Sequence, residues 1–362
     1  MTLAIGHWLL AYYSQWPKAN GQQPISKTDK MKKLITFLLA IFLVFGGCHS
    51  KKKYADLPPE LAELCINIDR HPKKAENYYK RANYYYLNKE IDKGIADMQT
   101  AIRLAPDSSK YYVTLSDLYF AQHETDLTEE MLLKAISKDE DNNEARLKLA
   151  ELQYYTRQFE DCEKTIDEAV QRQPHNPKAY LIKAFMLKDM QDTVGYLRML
   201  QLVIDQNPKE VKAYSELGYF YQQKNDPIAV SYYQNGLKVE PNNVELHYNL
   251  GTMFQEMDKL EEAEQEYKTA ISIDSTHIPS LNNLGYLYLD DSLARYDEAV
   301  QLFTRVLQIN PKFVYALCNR GVAYEYLGNY TAARKDYEET LKLSTNFEPA
   351  IKGLNRLDKL QH

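Results

Sequence analysis

Residues 244–311 read VELHYNLGTMFQEMDKLEEAEQEYKTAISIDSTHIPSLNNLGYLYLDDSLARYDEAVQLFTRVLQINP, one pattern written twice. Gly251 and Gly285 stand 34 residues apart, and an aromatic follows each three positions on, Phe254 and Tyr288. Ala263 and Ala299, the bulky Tyr267 and Phe303, and the smaller Ala270 and Val306 then recur in the same order. An insertion at Asp290 to Ala294 delays the second copy, and Pro311 closes it. Apolar residues at helical spacing, interrupted once and ended by proline, predict a helix, a short turn, a second helix and a stop.

The pattern extends in both directions. Ala82, Ser116, Ala150, Ala184, Gly218, Gly251, Gly285 and Gly321 recur at intervals of 34, 34, 34, 34, 33, 34 and 36 residues. Each is followed three positions later by Tyr85, Tyr119, Gln153, Leu187, Tyr221, Phe254, Tyr288 or Tyr324. Met98, Leu132, Ile166, Leu200, Tyr233, Tyr267, Phe303 and Tyr337 supply the bulky residue of the second helix. Pro106, Pro174, Pro208, Pro241 and Pro311 end units, with Glu140, Ser275 and Thr345 as exceptions. Small residues let two helices approach to the short end of the usual ~8–10 Å spacing. The aromatic one turn on is then expected to fill the gap beside them.

A 34-residue helix-turn-helix unit with these residues in register resembles the tetratricopeptide repeat. The resemblance covers residues 73–346 as eight repeats. It implies an all-α, right-handed superhelical solenoid of about eight helix-turn-helix units, with capping helices at both ends. The small residue that the family places at unit position 20 is met by Gly94, Cys162, Ala229, Ala263, Ala299 and Ala333. Thr128 and Tyr196 depart from it, so the second and fourth units are expected to pack more loosely. Pro227 falls in the turn of the fifth unit, where it can start a helix.

Thirty tyrosines and a hydrophobic fraction of 44% give ample surface to bury. A net charge of −6, with Lys and Arg scattered among Asp and Glu, argues against nucleic acid as the partner. Cys48, Cys65, Cys162 and Cys318 follow no metal-binding spacing. Cys162 occupies a small core position and is read as a buried thiol; Cys65 and Cys318 are read as core or groove lining. No cofactor is expected.

Cys48 has a different setting. Met31, Lys32 and Lys33 precede twelve mostly apolar residues, Leu34 to Phe45, and Gly46, Gly47 and Cys48 follow. The run is too short for a bilayer core, which takes ~20 residues, but matches the apolar region of a secretory signal. Segment 31–47 resembles a bacterial lipoprotein signal peptide, which implies cleavage before Cys48 and acylation of that cysteine. Phe45 departs from the leucine that this family prefers. Residues 1–30 read as a mis-called upstream extension. Residues 48–56 form a lipidated cysteine and polar tether, with Lys51, Lys52 and Lys53 suited to anionic head groups. The resemblance implies a cell-envelope protein held by lipid, at the outer membrane facing the periplasm.

Two end helices complete the reading. Residues 57–72 form an amphipathic N-terminal cap with Leu61, Leu64 and Ile68 on one face. Residues 347–362 form a C-terminal cap in which Phe347, Ile351, Leu354 and Leu357 pack backward while Lys352, Asn355, Arg356 and Lys359 face water.

The sequence carries no HExxH, nucleophile elbow or glycine-rich phosphate loop, and its eight histidines are dispersed. Asp290 with Asp291, and Glu261 with Glu262, read as solvated faces. The chain is therefore expected not to be an enzyme. The tetratricopeptide resemblance implies a groove lined by unit positions near 2, 5, 6, 9, 12 and 13 of each first helix. These positions hold Tyr79, Tyr86, Phe120, Tyr154, Tyr155, Phe185, Tyr219, Tyr248, Tyr286, Tyr315 and Tyr326. Aromatics supply broad contact at low entropic cost. Asn249, Asn283 and Asn319 recur at position 6, similar to the asparagine ladder of the O-linked N-acetylglucosamine transferases. Such a row can hold a peptide backbone irrespective of its sequence. The lysine and asparagine clamp of chaperone-tail-binding members is absent, with Tyr79, Thr114 and Glu144 at the corresponding places. The reading is a membrane-anchored scaffold or adaptor that binds a peptide segment or partner protein in its groove. A regulatory or accessory subunit of an envelope enzyme, assembly or secretion complex, and a glycan-binding envelope protein, are the rivals.

Overall fold

The computed structural model describes residues 53–360; segments 1–30 and 31–47, and Cys48, lie outside the described residues. Among the described residues there are eighteen α-helices and no strand. The first compact unit ends at Pro106 and holds α1 (Pro59–Arg70), α2 (Ala75–Leu87) and α3 (Ile91–Leu104). The second begins at Asp107. It holds α4 (Ser109–Ala121), α5 (Thr125–Lys138), α6 (Asn143–Tyr155), α7 (Phe159–Arg172), α8 (Pro177–Asp189), α9 (Thr193–Gln206), α10 (Val211–Gln222) and α11 (Ile228–Val239). It continues with α12 (Val244–Glu256), α13 (Leu260–Ile273), α14 (Ile278–Leu287), α15 (Tyr296–Ile309), α16 (Val314–Tyr326), α17 (Tyr330–Leu343) and α18 (Glu348–Lys359).

Local chemistry explains the helix ends. Proline sits in the first turn of α1, α8, α14 and α18, where its missing N–H costs nothing. Asn142, Asn176, Asp192, Asn243 and Asn329 cap helix starts through their side chains. Pro227 stands one residue before α11, as its N-cap. The turn inside each pair closes on a residue of positive φ: Lys89, His123, Arg157, Gln191, Asn225, Asp258 and Gly328. In the seventh unit the insertion takes over and Ala294 has φ 46°. Between units, Tyr180 and Tyr214 donate their hydroxyls to the carbonyls of Pro174 and Pro208, at 2.7 and 3.3 Å. His247 Nε2 reaches the Pro241 carbonyl at 2.9 Å from the same helical position.

The core is built on a size exchange between two positions. Where the first helix carries glycine, the second carries an aromatic ring that fills the space. A Cβ on Gly218 would lie 2.4 Å from the Tyr233 ring; on Gly251, 2.9 Å from Tyr267; on Gly285, 2.9 Å from Phe303; on Gly321, 2.7 Å from Tyr337. Where the first helix carries Ala82, Ser116, Ala150 or Ala184, the second buries Met98, Leu132, Ile166 or Leu200. This corrects the expectation that the aromatic one turn on fills the gap: the ring comes from across the turn. Tyr233, Tyr267, Phe303 and Tyr337 are fully buried. Gly353 of α18 closes on the other side of Tyr337, its Cβ position 2.4 Å from the ring.

The buried tyrosines each carry a hydroxyl that must be satisfied. Tyr233 donates to Gln222 Oε1 at 2.8 Å, Tyr267 to Gln255 Oε1 at 2.8 Å and Tyr337 to Glu325 Oε2 at 2.7 Å. Phe303, which has no hydroxyl, faces a unit in which Leu289 takes the place of those acceptors. Units two and four do not pack loosely. Thr128 is buried and returns its hydroxyl to the Glu124 carbonyl at 2.7 Å, and Tyr196 is buried and donates to Glu216 at 2.8 Å. Gly195 stands next to Tyr196, where a Cβ would lie 2.5 Å from the Asp192 carboxylate that caps this helix and 3.0 Å from the Leu187 side chain of α8.

Charged pairs occupy one internal register in the first and last repeats. Arg81 grips Asp97 with two bonds of 2.7 and 2.8 Å, and Arg320 grips Asp336 at 2.7 and 2.9 Å. Leu115, Leu149, Leu217, Leu250 and Leu284 fill the place of the arginine in most units between. At the C-terminal end α18 buries Ala350, Gly353 and Leu357. Ile351 is exposed, against expectation, because the approach at Gly353 turns the helix face toward Leu354 and Leu357. Arg356 does not simply face water: its fork meets Glu325 at 2.7 and 2.8 Å.

Cys65, Cys162 and Cys318 are buried and unpaired. Burial pushes the Cys162 thiol up to about 12 and Cys318 up to about 11, so neither is a nucleophile near neutrality.

Candidate functional site

The residues assigned to the groove all lie on the first helices, at recurring positions of the repeats. Tyr219, Tyr286 and Tyr315 are 50%, 55% and 60% exposed. Tyr155 and Tyr326 are exposed as well. Tyr326 stacks on Tyr296 with ring centroids 4.6 Å apart, and Tyr315 lies edge-on to Phe347. Tyr248 is half-buried, edge-on to His277 at 5.6 Å, and belongs partly to the packing between units. Tyr79, Tyr86, Phe120, Tyr154 and Phe185 are likewise half-buried.

Asn249, Asn283 and Asn319 are all half-buried. Asn283 Nδ2 makes a long 3.5 Å bond to the Tyr267 hydroxyl, and its Oδ1 accepts from Asn282 at 3.3 Å. The side chains of Asn249 and Asn319 make no hydrogen bond among the described residues, which leaves their donors and acceptors available. The register is different in earlier units. Lys148 holds position 6 in the third and is bound to Asp117 at 2.6 Å. Glu216 holds it in the fifth and is saturated by Lys188 at 2.7 Å, Tyr196 at 2.8 Å and Lys212 at 3.2 Å. Burial pushes the Glu216 carboxyl up, but Lys188 with the other donors outweighs it and holds the group below the usual carboxylate range. The open carboxamides therefore begin at the sixth unit.

Asn283 and Tyr286 come together in one open cleft of about 390 Å³, lined also by Thr252, Gln255 and Glu256. These last three occupy positions 9, 12 and 13, already assigned to the groove; reading those positions for aromatics alone passed over them. A second cleft, about 310 Å³, surrounds the turn Gln173–Pro177 and lies away from these residues in the chain. Cys48 lies outside the described residues, so its acylation has no structural counterpart. Lys53 of the expected tether pairs with Asp69 at 3.0 Å, joined by the Tyr54 hydroxyl at 3.0 Å, rather than standing free. Among the described residues no group of three or more His, Cys, Asp or Glu could hold a metal ion, and no helix is long and apolar enough to cross a membrane.

Paired helices at a fixed period, with the same small and bulky residues recurring in each pair, define a helical-repeat protein. Tetratricopeptide repeat profiles match residues 75–108, 119–184, 232–265, 280–313 and 314–347, together more than half of the chain. The chain belongs to the tetratricopeptide repeat family. It is 28% identical over 159 residues to the type IV pilus assembly protein PilF of Pseudomonas aeruginosa, covering 41% of this chain and 62% of that one. It is 28% identical over 162 residues to human DnaJ homolog subfamily C member 7, covering 43% and 32%. It is 25% identical over 154 residues to the human protein O-mannosyl-transferase TMTC3, covering 39% and 17%. The chain thus spans less than two thirds of each of these relatives. Among solved structures it is similar to PilW, a type IV pilus biogenesis factor, with a TM-score of 0.48 and 16% identity over 59% of this chain and 98% of that one. It is also similar to YrrB, with a TM-score of 0.47 and 18% identity over 52% and 97%.

Proposed function

We propose that this protein is a non-catalytic adaptor that holds an extended segment of a partner protein along the first helices of its sixth to eighth units. The observation that carries the reading is the row Asn249, Asn283 and Asn319, one register in three consecutive units, half-buried and with hydrogen-bonding capacity to spare. A carboxamide both donates and accepts, so the row matches the alternating N–H and C=O groups of an extended backbone. Exposed Tyr286, which shares a cleft with Asn283, and exposed Tyr219 and Tyr315 on other first helices offer flat apolar contact for side chains. The partner is a protein or peptide, not nucleic acid.

Attachment at Cys48 places this adaptor on the outer membrane facing the periplasm, where it serves an envelope assembly. Likeness to a type IV pilus assembly protein supports that setting, as does the lipoprotein-like segment 31–47. Two acyl chains or more would hold it stably, since one gives only marginal binding. Cys48→Ala should release the protein from washed membranes; retention would remove the anchor from this reading.

The groove is tested by changing Asn249, Asn283 and Asn319 together to Ala and measuring capture of envelope partners or of peptides on an array. Net hydrogen bonds of ~0.5–1.5 kcal/mol each predict a tenfold or greater fall in affinity. Stability should hold or rise, because Ala is the better helix former. Unchanged binding would return these residues to ordinary packing.

A further inference from the structure

We infer that the cleft of Thr252, Gln255, Glu256, Asn283 and Tyr286 is a specificity pocket for a lysine or arginine side chain of the bound segment, an inference that rests on the groove reading above. The first ground is an uncompensated charge. Glu256 is exposed, and its partner is neutral: Gln222 Nε2 donates to both carboxylate oxygens at 3.2 Å. No Lys, Arg or His lies within ion-pairing distance of it among the described residues, and none lines the cleft. Elsewhere on this face carboxylates are neutralised internally, Glu216 by Lys188 and Lys212 and Glu325 by Arg356.

The second ground is orientation. Buried Tyr233 donates to Gln222 Oε1, which turns Gln222 Nε2 toward Glu256 and fixes the carboxylate at the rim. Tyr267 donates its proton to Gln255 Oε1, and Thr252 gives its own to the Tyr248 carbonyl at 3.0 Å. The Tyr267 and Thr252 protons are thus spent inside the protein, while the amide N–H groups of Gln255 and Asn283 and the Tyr286 hydroxyl keep donors, so that the Glu256 carboxylate is the one charged group of the lining. A carboxylate with no cation beside it suits a donor-only cation. The exposed ring of Tyr286 completes the lining with a face on which an ammonium or guanidinium can rest. A neutral side chain would leave the carboxylate without a counter-charge.

The test uses the full chain on an array of short unstructured peptides in which basic, neutral and acidic residues are permuted at every position. Wild type should retain peptides with Lys or Arg enriched at one position, and retention should weaken at about 1 M salt, where the screening length is about 3 Å. Replacing that basic residue by Gln should cost wild type about tenfold, the scale of a charge-assisted bond, and cost Glu256→Gln little. Glu256→Gln should keep the wild-type melting temperature. Peptides retained without any basic preference, or a preference that survives in Glu256→Gln, overturn the pocket and leave the groove standing. If wild type retains no peptide, the groove reading itself fails.

Discussion

At the scale of single residues the protein depends on a matched pair, glycine against ring, and on an acceptor for each ring that carries a hydroxyl. Phe303 is the internal control, because its unit supplies Leu289 where others supply Gln222, Gln255 and Glu325. Phe303→Tyr should place a buried hydroxyl opposite an apolar residue and cost ~1–3 kcal/mol. Adding Leu289→Gln should recover a good part of the loss, measured as coupling in a double-mutant cycle by denaturant unfolding. Additive effects would mean that the acceptor is not what the ring requires. This dependence was written in the sequence but hard to see. Gln222 and Tyr233, Gln255 and Tyr267, and Glu325 and Tyr337 stand 11, 12 and 12 residues apart, across a turn, where helical periodicity gives no guide.

At the scale of helices and turns, much more was legible. A small residue every 34 positions and a proline at most unit ends are local signals that survive any global arrangement, so the helix pairs are where periodicity places them. Tyr196 departs from the small residue expected there and is buried all the same, because Glu216 accepts its hydroxyl proton, a partner 20 residues away that local spacing does not reveal. For the site, Asn283 and Tyr286 do converge, whereas Gln255 and Glu256 were missed because polar residues on an exposed helix look like solvated ones. The intra-unit turns carry a test of their own. Gly328 has φ 74° with open space around its Cβ position, while Gln191 holds the same turn position at φ 64°. Gly328→Ala should therefore cost ~1 kcal/mol through backbone strain alone, and Gln191→Gly should be neutral or stabilising. Thermal melting of both variants decides it; a harmless Gly328→Ala would show that the turn does not strain an ordinary residue.

For the molecule as a whole, the buried tyrosines set a limit at high pH. Burial pushes Tyr267 up to about 12 and raises Tyr233 and Tyr337 as well, the last also through Glu325. The folded state keeps protons that the unfolded chain loses near ~10, so stability is full below that value and falls as pH rises above it. A pH titration should show exposed tyrosines ionising first, then a second rise in tyrosinate absorbance that coincides with loss of helical circular dichroism. Complete ionisation with helices intact would contradict the burial. The glycine and its ring have one more consequence. Both lie within a single stretch of 34 residues, so a duplicated or deleted repeat carries recess and filling together. The chain can thus lengthen or shorten by recombination between repeats, and a crossover inside a repeat that mixes the glycine type with the alanine type leaves either a clash or a hole.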